Sequence, residues 1–253
     1  MSPEPGRRFA TTRWSLVLAT ADTNPDQAQS ALADLCQLYW FPVYAFVRRA
    51  GHTHEDASDL TQAFFTRVIE KDTFAAARPE RGRFRTFLLT AVRHFLSNEA
   101  AAAAALKRGG GRTVLSLEMD DGERRYLLEP ADEQTPERLY EQGWALTVLD
   151  AAMERLRLLY PGERKEQVFS VLRPLLTRDA TSYAEAAASL DMTENNLRVA
   201  LHRMRKQFGT CVREVIRETV ERPEDVDDEL RYLLVIVARN DAAGASGIPT
   251  GAN

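Results

Sequence analysis

Apolar residues along this chain recur three and four positions apart, the spacing of one buried helix face, and never alternate with polar residues long enough to make a sheet. The pattern predicts an all-α protein. A first short pattern covers Arg13 to Ala19. A second covers Asp26 to Arg49, stops at Gly51 and carries Pro42, which should kink it. A third follows Thr53, an N-cap with Asp56 three residues on, and reaches Lys71. A fourth runs from Gly82 to Leu106 and ends in the all-alanine stretch Ala100 to Ala105, of high helix propensity. Gly109, Gly110 and Gly111 then break the pattern. Helical spacing resumes over Pro136 to Tyr160, Glu163 to Leu176, Ser182 to Leu190, Glu194 to Glu221 and Pro223 to Arg239. A Gly/Ala/Ser tail follows, for which disorder is expected.

Charge sharpens this division. The formal net charge of −4 does not by itself announce a nucleic-acid binder, so its distribution matters more. From Thr113 to Glu141 nine acids face only three arginines, which marks most of this stretch as an acidic linker between two helical modules. At 253 residues, with 44% hydrophobic and 28% charged positions, the chain suits one large or two small soluble domains. No apolar run is long enough for a membrane span, and the polar start, Met1 to Arg8, lacks a signal-peptide core. Cys36 and Cys211 have no metal-type spacing, so a reduced, cytoplasmic compartment is expected.

The later module has the layout of a helix-turn-helix. Ser182 and Glu185 form a capping box, and Asp191-Met192-Thr193 makes a three-residue turn in which Thr193 caps the next helix. Ala187 is small where the two helices would cross. Leu197, Leu201, Met204 and Phe208 form one buried stripe, and Asn195, Arg198, His202 and Arg205 form the opposite one. Asn196 and Val199 flank that polar stripe. Between Asn195 and Arg213 the bases are Arg198, Arg203, Arg205, Lys206 and Arg213, with no acid. Arg can bond guanine in a bidentate way, Asn can bond adenine, and the remaining bases can hold phosphates. The blander alternative is a solvated helical hairpin with one basic face.

The earlier module carries two further motifs. Asp56-Ala57-x-Asp59-Leu60-x-Gln62-x-x-Phe65 resembles the D-A-x-D-L-x-Q-x-x-F helix of sigma region 2. Arg81-Gly82-Arg83-Phe84-Arg85-Thr86-Phe87-Leu88 resembles the R-G-x-x-x-F-R-T-W-L pattern that follows it, with a shortened loop and Phe87 for the usual Trp. Ser182-Tyr183-x-Glu185-x-Ala187 and Leu201-His202-Arg203-Met204-Arg205 resemble sigma region 4. Three motifs in this order are similar to the sigma-70 family, extracytoplasmic-function (ECF) subfamily. The resemblance covers roughly 28–108 and 137–217. It divides the chain into an extension (1–27), a region-2-like bundle (28–108), the acidic linker (109–136), a region-4-like helix-turn-helix domain (137–221) and a C-terminal helix with tail (222–253).

The resemblance implies a sigma factor, with core RNA polymerase and promoter DNA as partners, an anti-sigma factor or other regulator as a further partner class, and no cofactor, metal or catalytic residue. Asp56, Asp59, Leu60, Gln62, Phe65 and Thr66 would dock the polymerase clamp. On that helix Leu60, Phe64 and Val68 make a core stripe, and Asp59, Gln62, Thr66 and Glu70 a polar one, which suits a partly polar interface. Arg78, Arg81, Arg83, Arg85, Thr86, Thr90, Arg93, Lys107 and Arg108 would line the −10 groove, above a core stripe of Phe84, Leu88, Ala91 and Phe95. Catching an unstacked base needs such a positive groove and a pocket or platform, to which Phe87 is a candidate contributor. Asn195, Asn196, Arg198, Val199, His202, Arg203, Arg205 and Lys206 would read the −35 element. The linker would either thread toward the polymerase active site, in place of nucleic acid, or serve as a solubilising spacer.

The chain departs from the family pattern at Ala100 to Ala105, where aromatic and basic residues are usual, at Ala200, where many relatives have Arg, and at Asp191, where Gly is common. Asp tolerates left-handed backbone better than most residues, so the turn still fits. Two rival classes remain. A helix-turn-helix regulator acting without core polymerase would leave the Asp56 to Phe65 and Arg81 to Leu88 motifs unexplained. A metal-dependent hydrolase could draw on His52, His54, Glu55, Asp56 and Asp59, but both histidines precede the helix, so H-E-x-x-H geometry is absent. Gly109 to Gly111 beside Lys107 lacks the spacing of a phosphate loop.

Overall fold

The computed structural model describes residues 24–70, 83–105, 126, 135–176 and 183–246. Among them every regular element is helical, and the sole β feature is an isolated antiparallel bridge between Arg83 and Val220. The helices are α1 (Pro25–Arg49), α2 (His54–Glu70), α3 (Phe84–Ala105), α4 (Pro136–Leu158), α5 (Glu163–Leu172), α6 (Tyr183–Ser189), α7 (Glu194–Glu218) and α8 (Val226–Ser246). Short 3-10 turns at Arg173–Leu176 and Pro223–Asp225 follow α5 and precede α8. No helix among the described residues is long and apolar enough to cross a membrane.

Local chemistry explains the element ends. Asn24 accepts the Gln27 amide at 3.3 Å and Pro25 opens α1, where its missing N–H costs nothing. The helix runs on through Pro42 and ends where Gly51 takes φ 101°, a backbone that residues with a Cβ rarely adopt. Thr53 and Asp56 form the expected reciprocal cap of α2: the Asp56 amide reaches Thr53 Oγ1 at 3.1 Å, and the Thr53 hydroxyl donates to Asp56 at 2.9 Å. The pattern at 13–19 lies outside the described residues. The final helix runs past its expected end at Arg239 to Ser246, into the segment expected to be disordered. Alanine-rich composition favours helix there, and Gln142 donates to Asn240 at 2.6 Å.

The chain forms two compact units, Met1–Thr147 with Arg217–Asn253, and Val148–Ile216. The divisions between these units fall inside α4 and α7. The reason lies in side chains that only packing brings together. Leu139, Tyr140, Trp144 and Ala145 of α4, and Val226, Leu233 and Ile236 of α8, are buried with the first unit. In that unit α1 packs on both α2 and α3, and α2 also packs on α3. Its core holds Leu35, Tyr39, Phe41, Tyr44, Phe64, Phe84, Leu88 and Trp144, with Trp144 Nε1 donating to the Tyr39 hydroxyl at 3.1 Å. In the second unit α5 packs on α6, over a core that includes Leu156, Phe169, Leu172, Leu190, Leu197, Leu201 and Met204.

Candidate nucleic-acid interfaces

The second unit contains a closed helix-turn-helix. The Met192 amide reaches the Ala187 carbonyl at 3.1 Å and the Asp191 amide reaches Ala188 at 3.2 Å, the paired bonds of a Schellman cap. Asp191 occupies the left-handed position with φ 52°, the one non-glycine residue with positive φ among those described. Thr193 Oγ1 then accepts the Asn196 amide at 3.3 Å and starts α7. The end of α6 is tied further by α5: Arg164 donates to the Leu190 carbonyl at 2.6 Å and Gln167 to the Ser189 carbonyl at 3.4 Å. The sequence pattern gave no sign of these two ties, since both residues lie on an exposed polar helix. Ser182 lies outside the described residues.

Along α7 the two faces separate cleanly. Leu197, Leu201 and Met204 are buried, and the stripe continues through Cys211, Val212, Val215 and Ile216. Phe208 is only half-buried. Asn195, Asn196, Arg198, Val199, His202, Arg203, Arg205 and Lys206 are all exposed. Two of the arginines are steered. Arg198 lies over the Tyr183 ring at 5.5 Å and pairs with Glu194 at 3.3 Å, and Arg205 donates to the Leu175 carbonyl at 3.0 Å. The result is a rigid, basic, amide-bearing helix face fixed to a packed core.

On α2 the buried stripe is Ala57, Thr61, Phe64, Phe65 and Val68. Phe65, expected at the docking face, is a buried core residue in edge contact with Phe64 at 5.2 Å. Leu60, expected inside, is half-buried at the rim. Phe64 and Val68 of the expected stripe are buried, and the buried face widens toward Thr61 and Phe65 because the two consecutive aromatics both turn inward. Asp56 and Asp59 are exposed, and Gln62 and Thr66 are half-buried. His54, a candidate ligand for the rival hydrolase, is engaged through Nδ1 with the Tyr44 hydroxyl at 2.7 Å.

The start of α3 was expected to line a positive groove, and the structure gives it a different environment. Phe84, Leu88, Val92 and Phe95 form its buried stripe, with Val92 in the place expected for Ala91. Phe87 is half-buried and stacked on Phe84 at 6.1 Å. Arg85 does not face solvent. Its Nε donates to Glu229 Oε2 at 2.8 Å and its Nη2 to Oε1 at 3.1 Å, while the guanidinium lies 4.1 Å from the Tyr232 ring centre and 5.3 Å from that of Trp144. Burial works against the Arg85 charge, and the Glu229 bonds overcome that, so its pKa lies above the ordinary value. Burial and the bond to Glu141 push the Tyr232 phenol up to about 12.

Arg83 pairs with the same Glu229 carboxylate at 2.9 Å and lies 3.8 Å from Asp228. Arg93 is exposed and pairs with Glu137 at 2.7 Å, a hydrogen bond that holds the Glu137 carboxyl below its usual range. Thr86 is exposed, and the Thr90 hydroxyl donates back to the Thr86 carbonyl at 3.0 Å. Arg78, Arg81, Lys107 and Arg108 lie outside the described residues. The partners of Arg85, namely Glu229, Trp144 and Tyr232, were missed from sequence. One signal was legible: Val226, Glu229, Leu233 and Ile236 follow helical spacing, and an acid inside an apolar stripe marks a buried ion pair.

An all-helical chain with a helix-turn-helix whose second helix presents a basic, amide-bearing outer face has the layout of a DNA-binding protein. The chain matches the family described as ECF sigma factor over residues 45–214, more than half its length, and it belongs to that family. It is accordingly a sigma factor that binds RNA polymerase and acts in transcription initiation. Comparison with curated proteins and with solved structures gives no match.

Proposed function

We propose that this sigma factor directs core polymerase to its promoters by reading the −35 element with α7 and by opening the −10 element with the first unit. The observation that carries the reading is the face of α7. Eight polar or small-apolar candidates, Asn195 to Lys206, stand exposed opposite Leu197, Leu201 and Met204, on a helix whose start is fixed by the Schellman turn. A helix so presented can enter a major groove by its N-terminal turns. Arg198 is nearest that end and is assigned to a base edge; Arg203 and Lys206 are assigned to phosphates. The exposed Asp56 and Asp59, with Leu60, Gln62 and Thr66 at their side, form the polymerase-docking face of α2. Arg83, Thr86, Thr90 and Arg93 are the candidates among the described residues for the −10 strand. The cytoplasm is the compartment this reading requires, and an anti-sigma factor remains a candidate partner.

The test is transcription by holoenzyme on a matched set of −35 variants. Arg198→Ala should cost about 1–3 kcal/mol on the preferred sequence and relax the preference at one base. Lys206→Ala should weaken every sequence alike and lower the salt slope by about one unit. If both variants reduce transcription uniformly, Arg198 reads no base and α7 is an electrostatic anchor only.

A further inference from the structure

The family match ends at residue 214, yet the first unit is completed by residues beyond it. Val220 is buried and bridges to Arg83, and the Phe84 amide donates to the Thr219 carbonyl at 3.1 Å. Three residues into α8, Glu229 is 1% exposed and takes both Arg83 and Arg85. Arg93 is held by Glu137 of α4. Every arginine among the described −10 candidates is therefore ion-paired to an acid of α4 or α8. A carboxylate placed on a guanidinium uses the same donors that a DNA phosphate would use.

The two arginines on Glu229 are not equivalent. The Arg85 side chain is 12% exposed, doubly bonded to the carboxylate and in contact with two aromatic rings, so it anchors α8. The Arg83 side chain is 30% exposed and meets Glu229 at one close contact, with the exposed Asp228 beyond. A phosphate can reach Arg83 from solvent, and the carboxylate it replaces keeps Arg85 as its partner.

We propose that the segment Val220–Arg239 is a cis-acting acidic clamp that competes with promoter DNA for Arg83 and loosens when the DNA takes it. The clamp rests on the reading that the first unit engages the −10 strand. It gives this chain a built-in check on promoter opening, supplied by sequence outside the family match.

The experiment uses holoenzyme made with the full chain, and an oligodeoxynucleotide carrying the non-template −10 strand of a promoter that the holoenzyme transcribes. Glu229→Gln should tighten strand binding on the order of tenfold, equivalent to about 1.4 kcal/mol. It should also steepen the salt dependence by about 0.7, the share of one added phosphate contact on a single strand. Because Glu229→Gln leaves the largely buried Arg85 without its counter-charge and can disturb folding, hydrogen exchange on the unaltered chain is the second arm. Peptides within 220–239 should exchange faster once promoter is added. Exchange that is the same with and without promoter overturns the clamp, whatever the variant does. Arg83→Gln in the Glu229→Gln chain separates the two readings. If it changes neither affinity nor salt slope, Arg83 meets no DNA and the −10 assignment of this residue fails. If it weakens binding while segment exchange stays unchanged with promoter, only the clamp fails.

Discussion

Asp191 shows how much one backbone angle contributes to the reading helix. The turn between α6 and α7 needs a residue at φ 52°, where most side chains crowd the following carbonyl. Asp tolerates this position and leaves both Schellman bonds intact. Asp191→Gly should therefore change stability by less than about 1 kcal/mol, since easier backbone geometry and greater unfolded-state freedom oppose one another. Asp191→Val, β-branched, should cost about 1–3 kcal/mol and reduce DNA binding with it. Urea unfolding with unchanged slope checks the first quantity; equal midpoints for Gly and Val would refute the strain argument. At the same scale, Arg83 and Arg85 look alike in sequence and differ in the fold. Charge placed both in a DNA groove, whereas burial beside Glu229, Tyr232 and Trp144 made Arg85 a structural residue.

At the scale of elements, α4 meets α1 through a glycine. A Cβ on Gly143 would lie 3.1 Å from Pro42 Cα and 3.3 Å from the Phe41 ring. Alanine gains about 1 kcal/mol of helix propensity over glycine. Overpacking against a backbone atom that cannot rotate away costs about 1–3 kcal/mol. Gly143→Ala should therefore lower the melting temperature despite its better propensity, and a rise would show that α1 and α4 can separate without cost. On α2, Phe64 and Val68 of the expected core stripe are buried, whereas Leu60 lies half-buried, and Thr61 and Phe65 are buried beside them. Asp56 and Asp59 are exposed. Charge reversal at Asp59 with loss of the Gln62 side chain should weaken co-purification with core polymerase while the circular dichroism stays helical. Unchanged co-purification would remove α2 as the docking face.

For the whole molecule, the acidic stretch from Thr113 to Glu141 is the part whose role depends on polymerase. Most of it lies outside the described residues; Tyr126 is an exception, its ring centre 4.9 Å from the Arg48 guanidinium. An acidic segment is attracted to surfaces built for nucleic acid and is displaced when RNA arrives. Replacing the linker acids by Ser and Gln should therefore change the ratio of abortive to full-length transcripts. Equal ratios in the two proteins would leave the stretch a spacer. Its last acids already have structural partners: Glu137 pairs with Arg93 and Glu141 accepts the Tyr232 hydroxyl.

The sequence by itself determined the helical class, the element order, the capped starts at Thr53 and Thr193, and the basic face of α7. Each of these is a local matter. Helical spacing, an N-cap oxygen and an acid-free polar stripe act within a few residues, so a linear reading captures them. Only the tertiary structure decided how the first unit is closed. Glu229 lies 144 residues beyond Arg85, and Trp144 105 beyond Tyr39. A chain's charge pattern records how many arginines a segment has but not which distant acid is folded onto them. The energy of an ion pair depends on its distance and burial, and both are set by packing.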